Sequence, residues 1–590
     1  MVNVAVSMRV SRSAAILLLA ALAASGCGGI RPRWRGGLLG GEAVEAPRSP
    51  LPGDAAPLGH FFRGEVALAH NDVDTAVEEF EKAVAEDPNT PLLRQRLAGL
   101  YVRTGKLDQA LAEAQQVVAA EPDNAEALEL LGGVLSAQGR DEEAAASYER
   151  VLAIDPSRQE AYLFLGAIQS KQGRTETAAT TLRNLIARYP SSVLGYYYLG
   201  RVYANAHQLD KAEHYYLEAL KLSPQSELIL TDLALAYELE GRTQKAVDLY
   251  ERIIALNPQS LLVRRRLGSI YAGQKKLDAA LEQFKELERL DADPAEARIK
   301  MALIYFEKGE LDRAATELNL VLAQEPKNDR ARYYLAAVHA EQGETAKAVE
   351  EFAQVPADSD YYIDARIRRA YLLQKDRLPE AVAEIEGALA LKPGNPDLMA
   401  YLASLYREEK DSKRSIVLLE QLVARFPDDD RYHFTLGAAY DEVNDKTRMV
   451  EQMKRAIELN PHNAAALNYL GYSYAEMGVH LDEAENLIRR ALEVDPDDGF
   501  YVDSLGWVYY QRGDYHRAVE QLEHAVELAG DDPTVTEHLG DAYQRNGQDE
   551  SALRVYRDAL ARSHETAQIE RLKTKIRLLE GAVRADGSRS

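Results

Sequence analysis

The single cysteine, Cys27, is the residue whose chemistry is easiest to place. A lone thiol cannot form an intrachain disulfide, so its chemistry is that of a nucleophile that can be alkylated or acylated. It follows three small residues, 24–26, which end the apolar run that begins at residue 14. Residues 1–13 contain arginine but no acid. A basic start, a short apolar run and a small-residue site form the layout of a secretory signal.

The segment from Ala24 to Cys27 resembles the lipobox of bacterial lipoproteins, with Ala24 where leucine is commoner. The resemblance implies that residues 1–26 are removed and that Cys27 is acylated, which anchors the chain in a membrane. Gly28 stands where an aspartate would retain such lipoproteins at the inner membrane, so the resemblance implies the outer membrane, with the remaining chain in the periplasm. The alternative is an ordinary secretory signal with an incidental cysteine. Translation can start at Met1 or Met8, since the whole signal follows Met8.

The segment 27–56 is rich in glycine, proline and alanine. This composition predicts a flexible linker that spans about 30 Å. A second interpretation is contact with anionic lipid head groups through the cluster of Arg31, Arg33, Trp34 and Arg35.

Other residue types with catalytic potential lack the spacing that catalysis requires. The 12 histidines are scattered, and no His-Glu-x-x-His motif occurs. The acidic runs 428–430 and 495–498 fall in predicted turns and lack the ligand spacing of a calcium loop. The glycines of 36–41 have neither the strand nor the lysine of a phosphate-binding loop. The sequence therefore predicts no metal, no cofactor and no enzymatic activity, and an enzyme is kept only as a remote alternative.

The net charge of the chain indicates which classes of molecule it can bind. The chain has 70 basic and 94 acidic side chains, which give a net charge of -24. Such a surface repels phosphate backbones, so we expect no nucleic-acid binding. Proteins with basic patches are favoured, and no small-molecule substrate is expected.

A repeat of about 34 residues fills most of the chain. Six prolines are spaced by 34 residues each: Pro88, Pro122, Pro156, Pro190, Pro224 and Pro258. In the unit 125–158, apolar residues at helical spacing precede Gly139, and a second helical pattern ends at Pro156. This pattern is similar to that of tetratricopeptide (TPR) repeats, which pair two antiparallel helices. We expect an all-α α-solenoid, a right-handed superhelix of about fifteen such units between residues 57 and 566.

Irregularities in the period suggest how the repeats are divided. The unit before Pro356 is short, and the next one loses a turn residue near Asp376. We expect a change of curvature or a flexible joint around 355–430. The predicted domains are an N-terminal array, a C-terminal array, and a capping helix with a tail: 57–359, 360–566 and 567–590.

Partner binding is expected on the concave face, which the first helix of each unit forms. Unit positions 2, 5, 9 and 12 share one side of that helix because they recur at three- and four-residue steps. A cluster of aromatic and polar residues at these positions resembles a binding hot spot: Asn468, Tyr472, Phe500, Asp503, Trp507 and Tyr510. A second candidate patch is Tyr197, Arg201 and Asn205. The alternative is that Tyr472 and Trp507 only pack between neighbouring first helices.

Three segments carry a more particular resemblance: 468–474, 481–484 and 502–510. They look like the carboxyl-terminal block of large TPR lipoproteins of proteobacterial envelopes. That group includes LbcA-like adaptors, which dock carboxyl-terminal processing proteases and bring them peptidoglycan hydrolases. The resemblance implies a membrane-anchored scaffold that binds and localises envelope proteins. Two alternatives are an assembly factor for an outer-membrane secretin or pilus machine and a scaffold for exopolysaccharide export.

Overall fold

The computed structural model describes residues 56–530 and 532–587, and the regular structure within them is entirely helical. The signal, Cys27 and the linker lie outside the described residues, and their predicted roles stay predictions. No helix in the described part is long and apolar enough to cross a bilayer.

The helices follow one another in pairs joined by short turns. The first seven pairs are α1 Ala56–Ala69 and α2 Val73–Glu86; α3 Pro91–Arg103 and α4 Leu107–Ala120; α5 Ala125–Ala137 and α6 Asp141–Ile154; α7 Gln159–Lys171 and α8 Thr175–Arg188; α9 Val193–Asn205 and α10 Leu209–Leu222; α11 Glu227–Leu239 and α12 Thr243–Leu256; α13 Leu261–Gly273 and α14 Leu277–Leu290.

Eight further pairs and a final helix complete the described chain. They are α15 Ala295–Glu307 and α16 Leu311–Gln324; α17 Asp329–Glu341 and α18 Thr345–Ala353; α19 Tyr362–Gln374 and α20 Leu378–Leu391; α21 Pro396–Glu408 and α22 Ser412–Arg425; α23 Asp430–Glu442 and α24 Lys446–Leu459; α25 Ala464–Met477 and α26 Leu481–Val494; α27 Gly499–Gln511 and α28 Tyr515–Ala529; α29 Pro533–Arg545 and α30 Asp549–Arg562; and α31 Thr566–Gly587. The predicted all-α solenoid of about fifteen helix pairs is confirmed.

Close contacts divide the chain into two compact units, one ending at Ala297 and the other beginning at Arg298. The division expected at 359/360 stays a prediction. The short repeat before Pro356 is present as α18, which has 9 residues where most second helices have 14.

In nine of the fifteen pairs, a glycine of the first helix packs against a large side chain of the second. A Cβ on Gly200 would lie 2.7 Å from the Tyr216 ring, and one on Gly540 would lie 2.5 Å from the ring of Tyr556. Both tyrosines are fully buried. Only a residue without a side chain admits these rings, which explains why glycine recurs at this repeat position.

The turn inside most pairs contains a residue in the left-handed region. Glycine is the usual residue, as at Gly343, where φ is +75°. Five pairs place another residue there: Asn71, His207, Lys275, Lys410 and Asn444. The turn between α25 and α26 has both Gly478 and His480 in this region. Such a residue pays about 1–2 kcal/mol because its Cβ approaches the following carbonyl.

A recurring hydrogen-bond staple joins three of the turns between pairs to the helices that follow them. In one example, Arg332 donates to the carbonyl of Pro326 at 2.9 Å and to the carboxylate of Glu351 at 2.6 Å. Arg94 and Arg264 make the corresponding contacts. This staple satisfies a carbonyl that the helix interruption leaves without a helical partner.

The last helix is attached to its neighbour by charged groups. Glu537 on α29 is buried and accepts hydrogen bonds from Arg571 at 2.7 and 2.9 Å, and Lys575 lies 2.9 Å away. Lys575 also contacts Asp541 at 2.5 Å. Burial by itself would raise the pKa of Glu537, but the bonds from Arg571 and Lys575 hold this pKa at about 2. The carboxylate of Glu537 is therefore charged at neutral pH.

Candidate functional site

Three successive first helices, α25, α27 and α29, bring the C-terminal candidate residues together. Helix α27 contacts both α25 and α29. Residues one repeat apart occupy equivalent places on these helices, so Asn468, Asp503 and Glu537 form one row and Tyr472, Trp507 and Asp541 the next. The two rows lie one helical turn apart.

A stack of three rings lies at the centre of this surface. The indole of Trp507 lies between Tyr510, at 4.6 Å between ring centroids and 5° between planes, and His538, at 4.2 Å and 23°. The ring of Tyr472 lies near His538, with 6.5 Å between the two ring centroids. The structure thus unites Tyr472, Trp507 and Tyr510 and adds His538, which the sequence prediction did not include.

A buried acid–histidine pair holds the stack in place. Nδ1 of His538 lies 2.9 Å from Oδ1 and 3.0 Å from Oδ2 of Asp503, and both side chains are buried. Because an ionised carboxylate only accepts hydrogen bonds, Nδ1 carries the proton. Burial opposes charging of His538, but Asp503, with help from Asp541 and Glu537, raises the pKa of the imidazole above its ordinary value. The Trp507 ring therefore rests on an imidazole whose cationic form is stabilised, and protonation of that imidazole strengthens the contact.

Two polar atoms of the site are buried without a hydrogen-bond partner among the described residues. They are Nε1 of Trp507, which can only donate, and Oδ1 of Asn468, which accepts. Buried polar groups are nearly always bonded, and each unmet one costs about 1–3 kcal/mol. A donor and an acceptor beside a half-buried aromatic stack thus lack partners among the described residues.

Phe500 belongs to the same surface but not to the stack. Asp498 caps α27 by accepting hydrogen bonds from the backbone nitrogens of Phe500 and Tyr501, at 2.9 and 3.0 Å. This cap fixes the start of the helix and leaves the Phe500 side chain exposed. An exposed aromatic residue next to a fixed stack can serve as a peripheral contact.

The second candidate patch is divided by burial. Tyr197 is buried, and its hydroxyl donates to Asp232 at 2.9 Å. Arg201 lies over the Tyr197 ring at 5.6 Å and 3.8 Å from Asp232. Burial raises the pKa of Asp232, against the opposing effects of the Tyr197 hydroxyl and Arg201. Only Arg201 and the exposed Asn205 remain available to a partner.

One acidic group among the described residues has the spacing of a metal site. Carboxylate oxygens of Asp210, Glu213 and Glu240 lie within 4.8 Å of one another. The guanidinium of Arg242 pairs with all three, at 2.9, 2.6 and 2.8 Å. Its positive charge occupies the place a cation would take, so this group is an arginine-centred cluster.

The residues that the sequence prediction missed share a spacing that could have revealed them. Asp503 and His538 are 35 residues apart, and so are Tyr197 and Asp232. Glu537 and Arg571, like Asp541 and Lys575, are 34 apart. A separation of one repeat or one repeat plus one residue places two side chains on adjacent first helices.

Protein-family models match most of the chain. Models described as "Tetratricopeptide repeat" match residues 67–134, 165–227, 237–304, 305–366, 372–439, 430–463 and 536–568. A model described as "TPR repeat" matches residues 132–173 and 506–547.

Among curated proteins, the chain is 26% identical over 194 residues to a TPR repeat-containing protein, PA4667, of Pseudomonas aeruginosa. The match spans 32% of each chain, so it covers about a third of the relative's length.

Solved structures with similar helix pairs include a tetratricopeptide repeat protein from Parabacteroides merdae, at 19% identity and a TM-score of 0.35, with 42% of this chain and 98% of that one covered. The APC/C hetero-tetramer Cut9–Hcn1 has 16% identity and a TM-score of 0.35, with 82% and 98% covered. MamA has 22% identity and a TM-score of 0.28, with 29% and 94% covered. From the repeated helix pairs and the family models that match them, the chain is a tetratricopeptide repeat protein, a family that typically serves as a non-catalytic scaffold for protein–protein interaction.

Proposed function

We propose that this protein is a lipid-anchored adaptor of the outer membrane that holds envelope proteins through the stack of Trp507, Tyr510 and His538. The observation that carries the proposal is the half-buried aromatic stack beside two unmet polar atoms, Nε1 of Trp507 and Oδ1 of Asn468. Tryptophan and tyrosine on a rigid support are the commonest anchors of protein interfaces.

The expected ligand is an extended protein segment with an apolar side chain. Such a segment carries both a carbonyl that accepts from the indole and an amide that donates to Asn468. Asp503 is paired with His538, and Asp541 with Lys575, so neither of these two carboxylates stands unpaired before an apolar segment. Aromatic contact and backbone pairing together give affinity without demanding a charged ligand.

The membrane anchor is supported by the lipobox-like segment that ends at Cys27. Two or three acyl chains give stable attachment, since each buried methylene contributes about 0.8 kcal/mol. Attachment of two partners to one anchored array raises their effective concentration toward each other. This is the means by which an adaptor without catalytic residues accelerates a reaction between its partners.

The proposed partners are a periplasmic carboxyl-terminal processing protease and its peptidoglycan-hydrolase substrates. Support comes from the resemblance of residues 468–510 to the corresponding block of adaptors that dock such proteases. The aromatic stack lies within that block.

The decisive experiment uses the acylated protein purified from solubilised membranes and the purified processing protease of the same organism. Size-exclusion chromatography with light scattering should show a stable complex. Hydrolase cleavage should be faster in the presence of the adaptor than with protease alone. If neither the protease nor the hydrolase binds the adaptor, the proposed partners are wrong.

A matched variant tests whether the stack is the contact. Tyr371, on α19, is an exposed aromatic residue outside the cluster. Tyr371→Ala should leave the complex intact, whereas Trp507→Ala should weaken it. Equal effects of the two substitutions would show that the stack is not the binding site.

A further inference from the structure

The first helix of the array, α1, has an apolar side that lacks the cover found on later first helices. Val66 is 56% exposed. Its equivalents one, two, three and four repeats later are all buried: Leu100, Val134, Ile168 and Val202. On these later helices, the preceding helix pair supplies the cover.

Phe62 shows the same difference. It is 59% exposed, whereas Leu130 and Phe164, its equivalents two and three repeats later, are partly buried against the core. Leu58 is also exposed, but so is its equivalent Leu92, so that repeat position faces solvent elsewhere too. The uncovered end face is therefore defined by Phe62 and Val66.

These two residues border a concavity of about 480 Å³, lined by Phe62, Arg63, Val66, Ala67, His70, Asp72 and Thr75. Pockets that accept groups of ligand size have volumes of about 300–1,000 Å³. Arg63 is paired with Glu79 at 2.6 Å, and Asp72 accepts hydrogen bonds from the backbone nitrogen and the hydroxyl of Thr75. The end face is thus apolar, with the carboxylate of Asp72 at its edge.

We propose that residues 31–39 of this same chain, Arg-Pro-Arg-Trp-Arg-Gly-Gly-Leu-Leu, fold back and cover the end face, with Trp34 in the concavity and Leu38 and Leu39 along α1. Trp34, Leu38 and Leu39 are the large apolar residues between Ile30 and Leu51. One arginine of the segment can pair with the carboxylate of Asp72 at the edge.

The lengths agree with this arrangement. Trp34 and Leu38 are about 13 Å apart in an extended chain, at about 3.3 Å per residue. Phe62 and Val66 are about 6 Å apart along α1, at 1.5 Å per residue, so Trp34 can cover both, and Leu38 lies beyond them towards Leu58. The glycines and prolines of the segment disfavour a helix, so an extended strip is the form in which it can bind.

The connecting chain is long enough to allow the return. Leu39 and Ala56 are separated by 17 residues, for which the root-mean-square span is about 23 Å. The concavity lies about 15 Å from Ala56, since Val66 is ten helical residues further on. A tether of this length gives an effective concentration in the millimolar range, so a modest contact suffices.

Cover of the end face would also shorten the tether to the membrane, because the segment that binds α1 no longer contributes reach. Exposed apolar ends of repeat arrays limit solubility unless they are capped. The segment would thus serve as a cap for the first repeat. This inference does not depend on the proposed partners.

The test uses the mature chain from residue 27 with Cys27→Ser, which keeps the protein soluble without detergent. The chain has two tryptophans, so Trp507→Phe leaves Trp34 as the single reporter. We expect Trp34 emission to be blue-shifted, with a several-fold lower acrylamide quenching constant than in urea. Phe62→Ser with Val66→Ser should return both readings to the unfolded values. Leu92→Ser, at 53% exposure, is the matched control and should change neither.

Four results would overturn the proposal. Trp34 could be as quenchable in the folded chain as in urea, or stay shielded in the Phe62 and Val66 double variant. Shielding that appears only as protein concentration rises would identify a second copy as the cover. Shielding that appears only after addition of phosphatidylglycerol vesicles would identify the lipid surface. Circular dichroism of each variant establishes that the helices remain folded.

Discussion

The indole of Trp507 lies flat against the imidazole of His538, with 4.2 Å between ring centroids. The two residues come from adjacent first helices, so this contact depends on the packing of neighbouring repeats. Asp503, on the same helix as Trp507, fixes the imidazole of His538, with 2.9 Å between its Oδ1 and Nδ1 of the ring. The contact between Trp507 and His538 is therefore a property of two neighbouring repeats together.

Trp507→Ala should weaken binding of the protease partner by about 2 kcal/mol, or about 30-fold in Kd, if the indole is an interface anchor. Isothermal titration calorimetry measures the change. Thermal unfolding by circular dichroism serves as the control for folding. Unchanged affinity in a folded variant would mean that the stack only packs between helices.

The contribution of His538 to stability should fall as pH rises. Its folded-state pKa is raised above 6.5, so its stabilising effect is fully present below the unfolded value and is lost as pH rises through the folded one. The difference in unfolding free energy between wild type and His538→Gln is measured across about pH 5–9, the range in which histidine titrates. This difference should shrink toward the alkaline end. A pH-independent difference would show that the imidazole stays neutral.

Loss of Glu537 should affect the last helix at neutral pH but not in strong acid. The folded pKa of about 2 lies below the ordinary value of 4.5 for glutamate, so the charged form stabilises the fold above pH 4.5, and this effect is lost as pH falls toward 2. Glu537→Gln should increase hydrogen exchange in α31 at pH 7. As the solution is acidified through this range, the stabilities of wild type and variant should converge; a gap that stays constant would contradict the charge argument.

Lys410→Gly should stabilise the pair α21–α22 by about 0.5–1 kcal/mol. Lys410 has φ of +63°. Relief of about 1–2 kcal/mol of backbone strain exceeds the entropy that glycine adds to the unfolded chain. Gly343→Ala is the matched control. Gly343 has φ of +75°, and an added Cβ would have no neighbouring atom within 4 Å, so this substitution strains only the backbone. Urea unfolding and hydrogen exchange should show opposite signs for the two variants.

Cys27→Ala should abolish acyl labelling and release the protein from the membrane fraction. The thiol is the one cysteine of the chain, so no other residue can replace it in thioether formation. Metabolic labelling with an alkyne fatty acid, followed by fractionation, measures both effects. Acylation that persists in the variant would exclude the lipoprotein interpretation.

The sequence predicts the structure best where the role of a residue depends only on its own helix or turn. The unit 125–158 was predicted from its apolar spacing, Gly139 and Pro156, and the structure forms α5 and α6 there. Turns such as that at Lys410 were harder to recognise because the residue type does not reveal a positive φ. The pairing of Asp503 with His538 was missed because it depends on how far one first helix is rotated against the next. The binding roles of all candidate residues stay predictions.

Asp503 and His538 are 35 residues apart, so a segment that transfers this binding surface to another repeat protein must be longer than one repeat. Tyr472, Trp507 and His538 come from three consecutive first helices, and each helix needs its second helix to stay folded. A graft of a single repeat would move either Asp503 or His538 into another protein and leave its buried partner behind. The smallest portable recognition module is therefore the segment from α25 to α30, moved with its register unbroken.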